Sequence, residues 1–143
     1  MEYATFVWSP HTAANINKLE AVQRRAVRFV MSNYDRHSSV TNMISVLQLK
    51  NLQERRNVQS LLIFYKILNN MVDVSLPDCM MPGSTQTRGH NKKFIVIQSR
   101  IDAYKFSFFP RVISLWNNLP QDIVQTPTYE QFQDLLYKLY NIK

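Results

Sequence analysis

The side chains of this sequence best suited to chemistry are cations interleaved with aromatic rings between residues 88 and 120. This stretch holds six Lys or Arg residues and one acid, Asp102. Its aromatic residues are Phe94, Tyr104, Phe106, Phe108, Phe109 and Trp116. Cations that hold phosphates beside rings that stack on bases are typical of surfaces that bind single-stranded nucleic acid. Phenylalanines at this density also suit a small core, so we expect most of the Phe side chains to be buried. The side chains that we expect to be exposed are Lys92, Lys93, Tyr104 and Lys105.

A second group of cations lies in the first half of the chain, on two predicted helices. We call Arg24, Arg25, Arg28, Arg55 and Arg56 the first basic patch, and Arg88, Lys92, Lys93, Lys105 and Arg111 the second basic patch. Each cation that meets a nucleic-acid phosphate adds to the salt dependence of binding. The alternative is that the stems of these residues cover apolar surface while their charged ends stay in water. The residues alone leave both interpretations open.

Arg55 and Arg56 fall in the first turn of a predicted helix, where positive charge opposes the helix dipole. An anion is therefore expected beside them. Glu20, Glu54 or a phosphate are the candidates.

No set of residues predicts a catalytic or metal site. Two-metal phosphoryl chemistry needs carboxylates close together, and no two acids are adjacent in the sequence. The three histidines and Cys79 lack partners at metal-ligand spacing. The two glycines form no phosphate-binding loop. We therefore expect no catalytic residues, no metal, no cofactor and no small-molecule substrate.

Length and composition predict one packed domain of mainly α class. The chain has 143 residues, of which 45% are hydrophobic, and carries a formal charge of +7, which favours an anionic partner. Two glycines are too few for an architecture rich in β-hairpins. One cysteine excludes an internal disulfide, and no apolar run is long enough to span a membrane. The expected location is intracellular, in the nucleus or cytoplasm.

Hydrophobic periodicity predicts four main helices. Thr12 caps the first, Asn51 the longest and Thr128 the last, and Pro110 lies in the first turn of a short helix through Trp116. Another short helix is predicted over residues 40–47. The apolar face of the first helix is expected to point inward and consists of Ile16, Leu19, Val22, Ala26, Phe29 and Val30.

A short β segment or hairpin is predicted around residues 94–97, the sequence Phe-Ile-Val-Ile. The expected organisation is a helical region over 1–72, a linker over 73–91 and a small α(+β) region over 92–143, forming one continuous domain. Because residues 3–8 are apolar with no polar lead-in, we expect Met1 to be an internal methionine and the domain to be truncated at its N-terminus.

Four blocks of sequence resemble a known family. They are EYATFVWSPHTAANINKLEAVQRRAVRFV, LQLKNLQERRNVQSLLIFYKILNNMV, TRGHNKKF and YKFSFFPRVISLWNNLP. In this order they are similar to the region that follows the polymerase core in non-LTR (LINE-type) retrotransposon reverse transcriptases, especially jockey-like and chicken-repeat-type elements. The resemblance covers nearly the whole chain. Small departures include Ser114-Leu115, where the family commonly has a basic-acidic pair.

The resemblance implies the end of the polymerase thumb with a helical C-terminal extension. Such a region would help to hold template RNA, primer DNA and their hybrid, and its partner would be the polymerase core. The family's catalytic Asp-Asp motif is absent from this sequence, so we expect no polymerisation by the chain alone. The alternative from another class is a structural or protein-interaction module without nucleic-acid binding.

Overall fold

A computed structural model describes residues 4–83, 90–96 and 98–142. Within these residues the chain forms seven helices, which confirms the mainly α class. The long helices are α1 (Ala13–Val30) and α3 (Leu52–Leu68). The others are α2 (Val40–Val46), α4 (Asp102–Lys105), α5 (Phe108–Asn117), α6 (Gln121–Val124) and α7 (Tyr129–Leu139).

The three predicted helix starts are confirmed by their caps. Thr12 accepts from the Asn15 amide, and Thr128 accepts from the Gln131 amide in the same way. The Asn51 side chain accepts from the Glu54 amide at 2.7 Å. Each cap satisfies one backbone donor that the first helical turn leaves without an intrahelical partner.

The core forms where α3 packs against α5 and α7. Its buried side chains come from all three regions predicted from the sequence, including Met80 in the predicted linker. The Phe132 ring stacks on Tyr65 with centroids 4.3 Å apart, and the Phe64 ring meets Trp116 edge-on at 5.2 Å. Aromatic pairs in these geometries contribute about 0.5–1.5 kcal/mol beyond the area that they bury.

The predicted β segment contributes a single antiparallel bridge, between Pro82 and Phe94, and Ile97 lies outside the described residues. The Gly83 amide donates to the Lys93 carbonyl at 2.7 Å beside this bridge. A Cβ on Gly83 would lie 3.3 Å from that carbonyl oxygen, so glycine permits the close approach. Polar groups of Asn117 satisfy the Phe94 backbone in place of a neighbouring strand, at 3.0 Å and 2.7 Å.

The prediction that the apolar face of α1 points inward is wrong for most of that face. Phe29 is 73% exposed, Val30 65% and Val22 45%, whereas Gln23 and Val27 are the buried residues of α1. α1 packs against α2 and α3 over the side that carries Gln23 and Val27. The apolar arc of the helix is wider than this contact, so part of it remains on the surface.

Candidate nucleic-acid interface

α1 presents its arginines on the side away from its neighbouring helices. Arg24 and Arg25 are exposed, and Arg28 is half-buried and donates to the Asp35 carbonyl at 2.9 Å. Gln23, on the buried side of the helix, donates to the Lys50 carbonyl at 3.0 Å. This bond connects α1 to the residues just before α3. Arg24 and Arg25 lie on the other side of α1, where their side chains are exposed.

Glu20 supplies an anion at the start of α3. Its carboxylate accepts from the backbone amides of Leu52 at 2.8 Å and Gln53 at 3.3 Å. A carboxylate at a helix N-terminus interacts favourably with the helix dipole and stabilises the helix. Glu20, one of the three candidate anions, therefore lies at this helix start, where its carboxylate binds backbone N–H groups. The sequence offered no local signal for this, since Glu20 lies on another helix.

Arg56 is buried, with 2% of its surface exposed, and this corrects its place in the first basic patch. Its guanidinium donates to the Trp8 carbonyl and lies 4.1 Å from the centroid of the Trp8 ring. A side chain in this position holds the N-terminal segment against α3 and has no surface for a phosphate. Its neighbour Arg55 is half-buried and lines a small cavity of about 170 Å³ between Lys50 and Tyr137.

Arg111 binds the same N-terminal segment from α5. Its guanidinium donates to the Thr5 carbonyl at 3.2 Å. Burial lowers the pKa of Arg111 below its usual value, and the nearby positive charge of Arg56 lowers that pKa further. Arg56 and Arg111 thus hold residues 5–8. The hydrogen bond from Arg111 to Thr5 occupies the guanidinium group that was predicted to bind a phosphate.

The rest of the second basic patch divides between two sides of α5. Lys92 is exposed and Lys93 half-buried, and both line a cavity of about 400 Å³ that also borders Trp116. Lys105 is exposed and lines a different cavity, beside Ser114. Ser114 and Trp116 are two positions apart, or roughly 200° around a helix, so the cavities lie on opposite faces of α5. Arg88 lies outside the described residues.

The aromatic rings of the 88–120 stretch lie mostly at the edge of the core, and the expectation that most of its four Phe side chains are buried is wrong, because all four are half-buried. Trp116 is buried, and Phe94, Phe108 and Phe109 are partly buried against the core. Phe106, half-buried, stacks on the His11 ring at 4.3 Å. Tyr104, which like Phe106 lies outside the core cluster, is 43% exposed.

Tyr104 carries a hydroxyl group 3.5 Å from the Cys79 thiol. The hydrogen bond to Cys79 raises the pKa of the Tyr104 hydroxyl above its usual value. The contact joins α4 to the connector between α3 and the later helices.

His90 is a buried polar residue that the sequence did not single out for a structural role. Its ring nitrogen Nε2 lies 2.9 Å from the Trp116 carbonyl, and its ring meets the Trp116 ring edge-on at 6.0 Å. The Trp116 indole donates in turn to the Lys92 carbonyl at 2.8 Å. Lys92 is thereby fixed to the core through its backbone while its ammonium group stays at the surface.

Among residues 4–83, 90–96 and 98–142, no three His, Cys, Asp or Glu side chains converge as metal ligands would. The helices of this part of the chain include none long and apolar enough to cross a membrane. No model of a known protein family matches the chain, and no curated protein or solved structure is significantly similar to it.

Proposed function

We propose that this chain is the C-terminal part of a non-LTR retrotransposon reverse transcriptase and that it binds RNA, DNA or their hybrid for the polymerase core. The four sequence blocks, in family order, support the family assignment. The formal charge of +7 supports an anionic partner. The chain itself is not a polymerase, and its role is to hold the template and primer.

The observation that carries this proposal is the exposure of Arg24 and Arg25 on a helix face free of packing. The guanidinium group of arginine binds a backbone phosphate with paired N–H donors. Lys92 and Lys105 add exposed cations on either side of α5. The proposed contacts are Arg24, Arg25, Arg28, Lys92 and Lys105, with secondary contributions from Arg55 and Lys93. Arg56 is not among these contacts because it is buried, and Arg111 donates to the Thr5 carbonyl.

The test is the salt dependence of binding by variants that lose one cation each. Arg24→Gln and Arg25→Gln, made separately, should each reduce the slope of log affinity against log salt by about 0.7 with single-stranded RNA. Lys138→Gln is the matched control, because Lys138 is an exposed helical cation outside both basic patches. Fluorescence anisotropy with labelled RNA across a salt series measures all three.

Equal slopes for the two α1 variants and wild type would remove α1 from the interface. A loss of slope in Lys138→Gln as large as in Arg24→Gln would mean that net charge alone governs binding. The family assignment has a separate test upstream of Met1. An open reading frame there that encodes a Tyr/Phe-x-Asp-Asp motif supports it, and an untranslated leader contradicts it.

A second candidate function is protein interaction without nucleic-acid binding, and the uncovered apolar side of α1 favours it. Phe29 and Val30 are among the most exposed large apolar side chains of the described residues. Exposed apolar patches of this kind mark interaction sites. Under this alternative the apolar side of α1 packs against the polymerase core. The double variant Phe29→Ser, Val30→Ser then loses binding to that core, and neither the wild-type chain nor the variant binds RNA.

A further inference from the structure

A cavity of about 660 Å³ opens between the first turns of α3 and one face of α5. Gln53 and Asn57 contribute from α3, and Pro110, Ser114 and Leu115 contribute from α5. Lys105, which is exposed, and Arg111 also line it. We call this space the amide cavity. Its volume is in the range of sites that bind small molecules and is large enough for one nucleotide.

The amide cavity combines an apolar wall with a pair of amide side chains. Gln53 donates through Nε2 to Oδ1 of Asn57 at 3.0 Å. This bond leaves Gln53 with its Oε1 acceptor and one N–H donor, and leaves Asn57 with both Nδ2 hydrogens and one lone pair on Oδ1. Exchanging the oxygen and nitrogen of both amides still leaves both donors and acceptors on the pair, so the result does not depend on their assignment.

An adjacent donor and acceptor are what an amide group presents to the edge of a nucleobase. Pro110 and Leu115 provide the apolar surface against which a flat base packs, and Phe106 adds a ring to the same wall. The exposed ammonium group of Lys105 supplies positive charge for the phosphate of the same nucleotide. Apolar wall, amide pair and cation thus match the three chemical parts of a nucleotide.

We propose that the amide cavity takes one unpaired nucleobase of a single strand, with the adjoining phosphate on Lys105. A base that is stacked and paired inside a duplex cannot enter a cavity unless it is first extruded. Single-stranded RNA or DNA is therefore the preferred ligand over a fully paired duplex. This inference rests on the proposed nucleic-acid binding and specifies which form of nucleic acid is bound.

The experiment compares two single-stranded RNA probes of equal length, one with all its bases and one with abasic positions in its centre. Both carry the same phosphates, so a difference in affinity measures contacts to bases. Wild-type protein should bind the complete strand about tenfold more tightly than the abasic strand, the size expected for one well-held base. Anisotropy with the full chain at low salt gives both values.

Two variants locate the base contact. Ser114→Phe fills the amide cavity, and Asn57→Leu removes an amide at nearly constant volume. Both should reduce the tenfold preference to about twofold or less, with the salt slope unchanged because no cation is lost. Ser45→Phe is the matched control, since Ser45 is an exposed helical serine on α2 away from the cavity. Circular dichroism checks that each variant is folded, and Asn57→Leu keeps the test intact if the larger side chain disturbs α5.

Equal affinity of wild-type protein for the complete and abasic strands overturns the cavity inference while leaving salt-dependent phosphate binding in place. An undiminished preference in Asn57→Leu also overturns it and moves the base contact elsewhere. No binding of either strand at low salt is a different result, because it contradicts the proposed function itself.

Discussion

Arg56 offers the sharpest test of how the cations of this chain are divided between structure and binding. The perturbation is Arg56→Met, which keeps an unbranched side chain of moderate length and removes the charge. In the structure the Arg56 guanidinium donates to the Trp8 carbonyl and lies over the Trp8 ring. The variant should therefore weaken the attachment of the N-terminal segment and leave the nucleic-acid surface unchanged.

The magnitude follows from the contacts that are lost. A hydrogen bond to a charged group contributes about 1.5–3 kcal/mol, and a cation–π contact with little water around it contributes about 1–2 kcal/mol. The loss is offset by the packing of Met and by relief of the repulsion between Arg56 and Arg111, which also lowers the pKa of Arg111. The net loss in the free energy of unfolding is about 2–3 kcal/mol. For a domain of this size that corresponds to a fall in Tm of roughly 5–10 °C.

Thermal unfolding followed by far-ultraviolet circular dichroism measures the change in Tm. Arg24→Met is the matched control, because Arg24 is an exposed helical arginine and its loss should alter stability by about 0.5 kcal/mol or less. The salt slope of RNA binding gives the reverse pattern, with a smaller slope for Arg24→Met and a wild-type slope for Arg56→Met. Acrylamide quenching of tryptophan adds a local readout, since Trp8 should become more accessible in Arg56→Met.

An Arg56→Met protein with wild-type Tm and a reduced salt slope would contradict the structural role of Arg56. Arg56 would then be a phosphate contact, as the first basic patch predicted from sequence.

Two further predictions concern the core. Phe132→Ala should lower the free energy of unfolding by about 3–5 kcal/mol in urea titrations, because Phe132 is fully buried and stacks on Tyr65; a loss below about 1 kcal/mol would mean that α7 is not packed on α3. Burial raises the pKa of Tyr65, so the folded state keeps this proton to higher pH than the unfolded state. The stability linked to Tyr65 is therefore full below the unfolded pKa of about 10 and is lost as pH rises through the folded pKa. Tyr65→Phe, which removes the hydrogen bond to the Thr126 carbonyl, should cost about 1 kcal/mol at neutral pH and make the alkaline fall in stability shallower. An equally steep alkaline fall in the variant would assign it to other groups.

Local signals in the sequence predicted the local features of the fold. Thr12, Asn51 and Thr128 cap their helices because a short polar side chain followed by helical spacing is sufficient to place a helix start. Helical spacing of apolar residues also accounts for the burial of Leu61 and Tyr65 on α3. Pro110 lies in the first turn of α5 as predicted.

Features that depend on distant parts of the chain were not predictable in this way. Arg55 and Arg56 are adjacent residues of the same type, yet Arg56 lies on the buried side of α3. It shares that side with Leu52 and Ser60, at spacings of four residues. That spacing was a usable signal, but its acceptor, Trp8, is 48 residues away. The prediction that the apolar side of α1 is buried was wrong for another reason. An apolar pattern specifies which face of a helix can be buried, but it does not specify what covers that face.

The second basic patch illustrates the same limit on the candidate site. Lys92 and Lys105 are close in sequence and exposed, but they border cavities on opposite faces of α5. A cluster defined along the chain therefore became two separate sites in the fold. The amide cavity lies between α3 and α5, and neither segment alone contains a sequence pattern that predicts it.

Whether the exposed cations hold nucleic acid is measured by the affinity of the wild-type chain for single-stranded RNA across a salt series. With about three to five phosphate contacts, log affinity should fall against log salt with a slope of about −2 to −3.5. Anisotropy of a labelled strand and of an RNA–DNA hybrid gives the slope for each ligand. A slope near zero, or no binding at low salt, would contradict nucleic-acid binding by these cations and leave them as a solvated surface.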